Sequence, residues 1–284
     1  MEESSTLIIG ASGQLSLALQ DRYPQARTVG SQQLDISNSQ QVEAFDWSGL
    51  QTVINAAAYT DVDGSESPEG RVNAWKVNAV GAASLARIAI KHDLTLVHIS
   101  SDYVFDGVQS PHYEAEGFSP LGVYGQSKAA GDISVSLVPK HYIVRTTWVI
   151  GEGNNFVRTM LNLGKRGIAP KVVNDQIGRL TFTAELVLII DHLLTRKPAY
   201  GVYNATNGGE SVSWADITRT IFTLADNNLS VTDTTTAEYF QDKPQSARRP
   251  LNSILDLTKL QATGYTVRDW QEDLTAYIQK ELSS

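Results

Sequence analysis

"TLIIGASGQLSLALQDRY", residues 6–23, decides how this chain folds. "TLII" (6–9) is an apolar run of the length of a buried strand, and a small-residue turn follows it at once, opening a helical segment. A strand that feeds a tight glycine turn and then a helix is the first βαβ unit of a doubly wound sheet. It also aims a helix N-terminus at negative charge. The spacing is G-x-x-G-x-x-S, with Gly10 and Gly13 in the turn and Ser16 where a third glycine often sits. Serine is small enough for the close helix–strand packing that this position serves. Two glycines at this spacing also suit a plain strand–turn–helix. Their place in an N-terminal βαβ unit favours a dinucleotide.

Outward from this unit the rhythm persists through residue 150. "TVINAAA" (52–58), "LTLVHIS" (94–100) and "YIVRTTWVIG" (142–151) read as further strands, with a weaker one at "ARTVG" (26–30) and a short turn at "QLDIS" (33–37). "VNAWKVNAVGAASLARIAIKHD" (72–93) reads as a long amphipathic helix. Strands alternating with helices give right-handed crossovers and a parallel sheet. The expectation is α/β: a Rossmann-type doubly wound domain over residues 1–150, then a smaller α/β substrate lobe over 151–284, with some later segments returning to the first domain. In that lobe "NNFVRTMLNLGKRG" (154–167) and "SVSWADITRTIFTLADNN" (211–228) read as helices, and "KVVND" (171–175) and "GVYNATN" (201–207) as short strands. "TVRDWQEDLTAYIQKEL" (266–282) reads as a last helix, with Thr266 as N-cap and Asp269 three residues on.

Composition bounds the function. The 284 residues carry a formal net charge of −8, which argues against a general binder of nucleic-acid backbone. There is no cysteine, so disulfides, thiolate nucleophiles and cysteine-ligated metals are excluded. The acidic start is not expected to act as a secretory signal, and no apolar run approaches the ~20 residues that span a bilayer. A soluble cytoplasmic protein without a membrane or nucleic-acid partner is the expectation.

The end of the second strand, "TVGSQQ" (28–33), offers neither the acid that binds a ribose 2′-hydroxyl nor an arginine for a 2′-phosphate. Neutral Ser31 and Gln32 do not repel a phosphate, so the cofactor expectation is NADPH or NADH, leaning to NADPH. Asp35 lies further on, better placed for the adenine amino group.

"VYGQSKAAGD" (123–132) puts Tyr124 and Lys128 four apart, on one face of a helix. Alone, this is an ordinary aromatic and an ordinary solvated lysine. Its context differs: "HISSDYVFDG" (98–107) brings hydroxyls at Ser100 and Ser101 to the end of a strand, where ligands sit in such sheets. An ammonium held near a phenol favours phenolate and makes it a better acid–base near neutral pH. The "AAG" that follows reads as a small-residue face that lets this helix sit close to the sheet.

Several segments match one family in order. "NAAAYTDVDGSE" (55–66), "SSDYVFDG" (100–107), "YGQSK" (124–128), "RTTWVIGEGNNFVRTML" (145–161), "VVNDQIGRLT" (172–181) and "ARRPLNSILD" (247–256) join the glycine turn. Together they resemble the dTDP-4-dehydrorhamnose reductases, an extended branch of the short-chain dehydrogenase/reductases, over nearly the whole chain. The resemblance implies reduction of the C4 ketone of dTDP-4-dehydro-L-rhamnose. Catalysis would fall to Ser101, Tyr124 and Lys128: Tyr124 as proton donor, Lys128 lowering its pKa and binding the nicotinamide ribose, Ser101 bonded to the carbonyl. Where the family usually has threonine, Ser101 keeps the hydroxyl and loses a methyl that stiffens χ1. The dinucleotide would lie along Gly10, Ser12, Gly13, Gln14, Leu15, Asp35, Ile36, Ala56, Ala57, Ala58 and Asn78, with Tyr124 and Lys128. The dTDP-sugar would meet Val62, Ser101, Asp102, Tyr103, Trp148 and Asn155, and Arg248 and Arg249 would suit its pyrophosphate.

Some members dimerise through magnesium held by glutamates, one of them in the first helix. Ala18 stands at that place here, so no metal and a monomer or weak homodimer are expected. Some members also follow an epimerase domain on one chain, so an epimerase domain or partner belongs to the same expectation. Two rival readings share the fold: a ketoreductase for another dTDP-deoxysugar, and a dinucleotide-binding regulatory subunit like that of methionine adenosyltransferase.

Overall fold

The computed structural model describes residues 2–243 and 245–283. Four consecutive apolar-facing residues make β1 (Thr6–Ile9), all buried, as expected for a strand covered on both faces. The chain continues through α1 (Gln14–Arg22), β2 (Arg27–Val29), α2 (Ser39–Ala44) and β3 (Thr52–Asn55). Then come α3 (Pro68–Ala74), a π-helical stretch over Trp75–Gly81, and α4 (Ala82–Lys91). β4 (Thr95–Ser101), α5 (Val123–Val135) and β5 (His141–Thr146) complete the first run.

After β5 lie β6 (Val149–Ile150), α6 (Phe156–Lys165), β7 (Lys171–Val173), β8 (Ile177–Gly178), β9 (Thr181–Phe182) and α7 (Thr183–Arg196). The chain ends with β10 (Gly201–Asn204), β11 (Val212–Ser213), α8 (Trp214–Leu224), β12 (Thr232–Thr234), α9 (Thr236–Phe240), α10 (Thr258–Gln261) and α11 (Trp270–Ser283).

Among the described residues six strands form one parallel sheet in the order β10-β5-β4-β3-β1-β2. It is an α/β Rossmann-type sheet, helix-covered on both faces. One face packs Leu7, Ile36, Leu85, Ile88 and Ile143, and the other packs Ile8, Leu19, Tyr142, Leu186 and Tyr203. The strand order reverses between β1 and β3, which opens the crevice where such folds bind ligands. β10 returns from the second half of the chain to the sheet edge, and α7 packs beside α1 across the same face. The smaller lobe has its own core, built by Leu161, Phe222, Trp270 and Leu274 of α6, α8 and α11.

Four local readings change. The single strand expected over 142–151 is two, because Trp148 takes a left-handed φ of +46° and breaks the ladder between β5 and β6. The last helix starts at Trp270, not near Thr266: the Asp269 carboxylate accepts from the Gln271 amide at 2.8 Å and takes the capping job. "AAG" does let α5 approach closely, but toward a helix. A Cβ on Gly131 would fall 2.3 Å from the Asn78 carbonyl of the π-helical stretch. Finally, "TAELVLIIDHLLTR" forms α7, an element the strand-and-helix rhythm did not single out.

Candidate active site

The glycine turn serves two different needs. Gly10 has φ +106°, and a Cβ there would lie 2.8 Å from the Ala57 nitrogen, so the protein's own backbone demands glycine. Gly13 has φ −73°, and a Cβ there would meet nothing closer than the Gly10 carbonyl at 3.5 Å. No neighbour among the described residues excludes a side chain at Gly13. The bare backbone there, at the N-terminus of the nine-residue α1, makes a cradle for a phosphate group. Ser16 is fully buried beneath the turn. Gln14 ties the turn to the start of the second lobe by accepting from the Gly151 amide at 2.8 Å. These features fit a dinucleotide.

Two cavities meet over the ends of β1, β3, β4 and β5. One, of about 500 Å³, runs from Gly13, Gln14 and Leu15 past Ala56 and Ala58 to Ser101, Tyr124 and Lys128. The other, of about 650 Å³, lies in the second lobe between Phe156, Val172, Trp214, Phe240 and Arg249. Tyr103 and Trp148 line both and form the divide. Val62 and Asp102 face the first.

The catalytic candidates converge at this divide. Ser101 closes β4, where its Oγ donates to Asp102 Oδ1 at 3.0 Å and accepts from the Tyr103 amide at 3.2 Å. To donate to a substrate oxygen, Ser101 has to release Asp102, beside which Ser253 and Thr147 also stand. Burial pushes the Asp102 carboxyl above its ordinary range, against the pull of those hydroxyls. Tyr124 sits in the first turn of α5, edge-on to the Tyr103 ring at 5.5 Å. Gly125 lets α5 settle there, since a Cβ would fall 2.1 Å from the Tyr103 carbonyl.

The electrostatics depart from the simple picture of ammonium and phenol. The Tyr124 phenol is pushed up to about 12, first by burial and then by Asp102 and Asp132, with Ser101 pulling it back. Lys128 does not hold it down. Its Nζ donates to the Ile99 carbonyl at 2.6 Å, and the residue is 2% exposed. Burial lowers Lys128 to about 8, and Asp132 one turn on pulls it back up. Asp132 pairs with Arg145 at 3.1 Å, both almost fully buried, and His98 lies 3.9 Å away, kept neutral by burial. Desolvation outweighs the charge pairing in this cluster, which is why Tyr124 is a firmly protonated acid here.

Residues the spacing did not reveal hold the constellation. Glu66 Oε1 accepts from the Val123 amide at 2.8 Å and caps α5 in place of a local side chain. Asn78, expected against the cofactor, spends its amide inside the protein. It bonds the Tyr59 nitrogen and carbonyl at 2.9 and 3.1 Å and Ser127 Oγ at 3.0 Å. It thereby ties the loop after β3 to α5 from a π-helical turn, a form often found at functional sites.

Asn155 likewise works as the cap of α6, accepting from the Arg158 amide at 3.0 Å and donating to the Gly151 carbonyl and Tyr277. It is not among the residues that face either cavity. Ile36 turns its side chain into the core against Gly81. Asp35 bonds the Ser37 amide at 2.9 Å. Ser12 is exposed on the turn. Ala57 is held by its own amide to Asn55 Oδ1 at 3.2 Å. Arg249 reaches the second-lobe cavity, stacked over Phe240 and paired with Asp63 at 2.7 Å, whereas Arg248 is exposed and does not line it.

A doubly wound sheet with a glycine turn at its switch point, Ser at a strand end and Tyr and Lys on the helix beside it marks the extended short-chain dehydrogenase/reductase class. Within that class the chain belongs to the dTDP-4-dehydrorhamnose reductase family. The family described as RmlD substrate binding domain matches residues 4–283. The dTDP-4-dehydrorhamnose reductase of Aggregatibacter actinomycetemcomitans is 41% identical over 94% of this chain and 96% of its own length. The crystal structure of a dTDP-4-dehydrorhamnose reductase from Clostridium acetobutylicum superposes with a TM-score of 0.89 at 38% identity, covering 98% of this chain and 99% of that one. The Bacillus anthracis enzyme in complex with NADP gives 0.88 at 35% identity, with 99% of both chains covered.

Proposed function

We propose that this protein reduces the C4 ketone of dTDP-4-dehydro-L-rhamnose to dTDP-L-rhamnose with NADPH or NADH. The observation that carries this is the meeting of Ser101, Tyr124 and Lys128 at the divide between a phosphate-cradling cavity and an aromatic one, in a chain of this family. A bound dinucleotide would supply the hydride that the carbonyl carbon needs. Tyr124 gives its phenolic proton to the carbonyl oxygen, so the ketone becomes a secondary alcohol. A phenol at about 12 stays protonated at neutral pH and is matched to an alkoxide, a far stronger base. Ser101 shares that oxygen once released from Asp102. Lys128, one of whose ammonium hydrogens goes to the Ile99 carbonyl, can bond the ribose with the others. Trp148 and Tyr103 close over the sugar, and Arg249 faces the pyrophosphate.

The neutral end of β2 supports the lean to NADPH, and the NADP bound by the Bacillus anthracis relative agrees with it. A cytoplasmic location and a monomeric or weakly dimeric state are part of the same proposal.

The test mixes protein, NADPH and enzymatically made dTDP-4-dehydrorhamnose and follows the nicotinamide absorbance, with product NMR to fix the sugar and its stereochemistry. Tyr124→Phe should lower kcat by roughly 10²–10⁴-fold. A Tyr124→Phe protein as fast as wild type would overturn the assignment. A different NMR product would move the reading to another dTDP-deoxysugar.

A further inference from the structure

We propose that Gly178 and Trp214 form a seat that fixes the Trp148 indole, and that this seat sets the fit of the sugar at the divide. The inference rests on the reductase reading above. Trp148 is held in a conformation bulky residues rarely adopt, with φ +46°. Such a conformation persists only where the surroundings over-determine it, and here they do. The Trp148 and Trp214 rings stack with centroids 3.8 Å apart and planes 22° off parallel. Phe156 backs Trp214 at 4.3 Å.

Gly178 completes the seat. A Cβ on Gly178 would lie 3.0 Å from Cζ2 and 3.1 Å from Cε2 and Cη2 of Trp148. Its backbone is not in the left-handed region, so the chain itself has no need of glycine there. The three atoms nearest to such a Cβ all belong to the indole, which would have to give by a few tenths of an ångström. One short ladder positions both partners. β8 pairs with β11 in the register Val212↔Gly178 and Ser213↔Ile177, and Trp214 follows Ser213 at the start of α8. The Ser213–Asp216 capping box fixes that start.

This gives the "DQIG" segment a shared purpose. Asp175 accepts from the Thr236 amide and hydroxyl at 2.9 and 2.6 Å, and Gln176 donates to the same hydroxyl at 3.0 Å. Thr236 opens α9, which carries Phe240 to the far wall of the substrate cavity. Asp175 and Gln176 therefore hold one wall while Gly178 seats the divide. Gly178 and Trp214 act through Trp148 as positioning residues.

The test compares Gly178→Ala, Trp214→Phe and Trp214→Leu with wild type. Stacked indoles give an exciton couplet in the far-ultraviolet circular dichroism, and Trp148→Phe identifies it by its loss. Gly178→Ala should change the couplet and raise KM for the sugar nucleotide about tenfold, with KM for NADPH within about twofold. Trp214→Phe, which keeps a ring to stack on, should retain most activity, and Trp214→Leu should fall with Gly178→Ala. A Gly178→Ala protein with the wild-type couplet and wild-type KM for the sugar nucleotide would overturn the proposal, whether or not Trp214→Leu folds. If wild type turns over no dTDP-4-keto sugar, the reductase reading fails. The couplet in wild type, Gly178→Ala and Trp148→Phe then still decides whether the indole is seated.

Discussion

The cavity that runs from Gly13 to Lys128 is walled by strand ends and the backbone beside them. The cavity beyond Trp148 is walled mainly by aromatic and apolar side chains from α6, β7, the start of α8 and the end of α9. On the first side specificity comes from where the main chain is allowed to go. On the second it comes from which rings can be held against which. The two sides therefore respond differently to substitution, because a backbone site fails by steric exclusion and a side-chain site by loss of orientation.

The two glycines of the turn offer the sharpest break of that comparison. Gly10→Ala forces a Cβ onto a residue at φ +106°, 2.8 Å from the Ala57 nitrogen, and should cost about 2–4 kcal/mol of stability, read by urea unfolding. Gly13→Ala meets no protein atom closer than 3.5 Å. It should cost under about 1 kcal/mol as an N-cap change yet weaken NADPH binding roughly tenfold or more, read by fluorescence titration. Equal losses of stability in the two variants would mean that the turn is built for the fold alone.

The same contrast explains what the sequence discloses. The turn and the strands are local in sequence and carry their own period, so Gly10 and Gly13 could be read from spacing, whereas Tyr124 and Lys128 needed their place after the hydroxyl-bearing end of a strand. Glu66 capping α5 from 57 residues away could not, nor could Asn78 clamping Tyr59 to Ser127. Those are contacts between elements, and no period marks them. Asn155 reads as a ligand in a motif but is committed to the cap of α6. What spacing hides about Lys128 is physical too. Four-residue spacing shows that two side chains share a face, but not that one is drawn away to the Ile99 carbonyl. Trp148 breaking a strand is a tertiary effect, since "YIVRTTWVIG" by itself favours one unbroken ladder.

Lys128 tests the electrostatic part of the comparison. Its pKa of about 8 lies below the ordinary lysine value, so the ammonium is present below pH ~8 and lost above it. The rate under kcat/KM conditions should fall as pH rises through about 8, and Lys128→Met should lower it about 10²-fold and flatten that limb. Stability changes the other way. Between about pH 8 and 10.4 the unfolded chain binds the extra proton, so wild-type stability rises with pH across that window and is level below it. Lys128→Met should lack the rise. A variant that keeps both pH dependences would show that another group titrates there.

The smallest expected effect falls on Glu66, which stands where the backbone-built side reaches the catalytic helix. Its carboxylate accepts from the Val123 amide at 2.8 Å, next to Tyr124, and Gly122 offers no side chain to take over. Glu66→Gln keeps an acceptor oxygen and loses the negative charge at the helix N-terminus, worth about 0.3–1 kcal/mol. The melting temperature should drop by about 2–4 °C or less and kcat by a few-fold, with KM for NADPH unchanged. Glu66→Ala removes the acceptor as well and leaves a helix amide unpaired, so its losses should be the larger. If Glu66→Ala and wild type melt and turn over alike, the start of α5 is held by its packing on the Asp102–Val104 turn, and the catalytic tyrosine owes its place to the same close backbone contacts that shape the cofactor side.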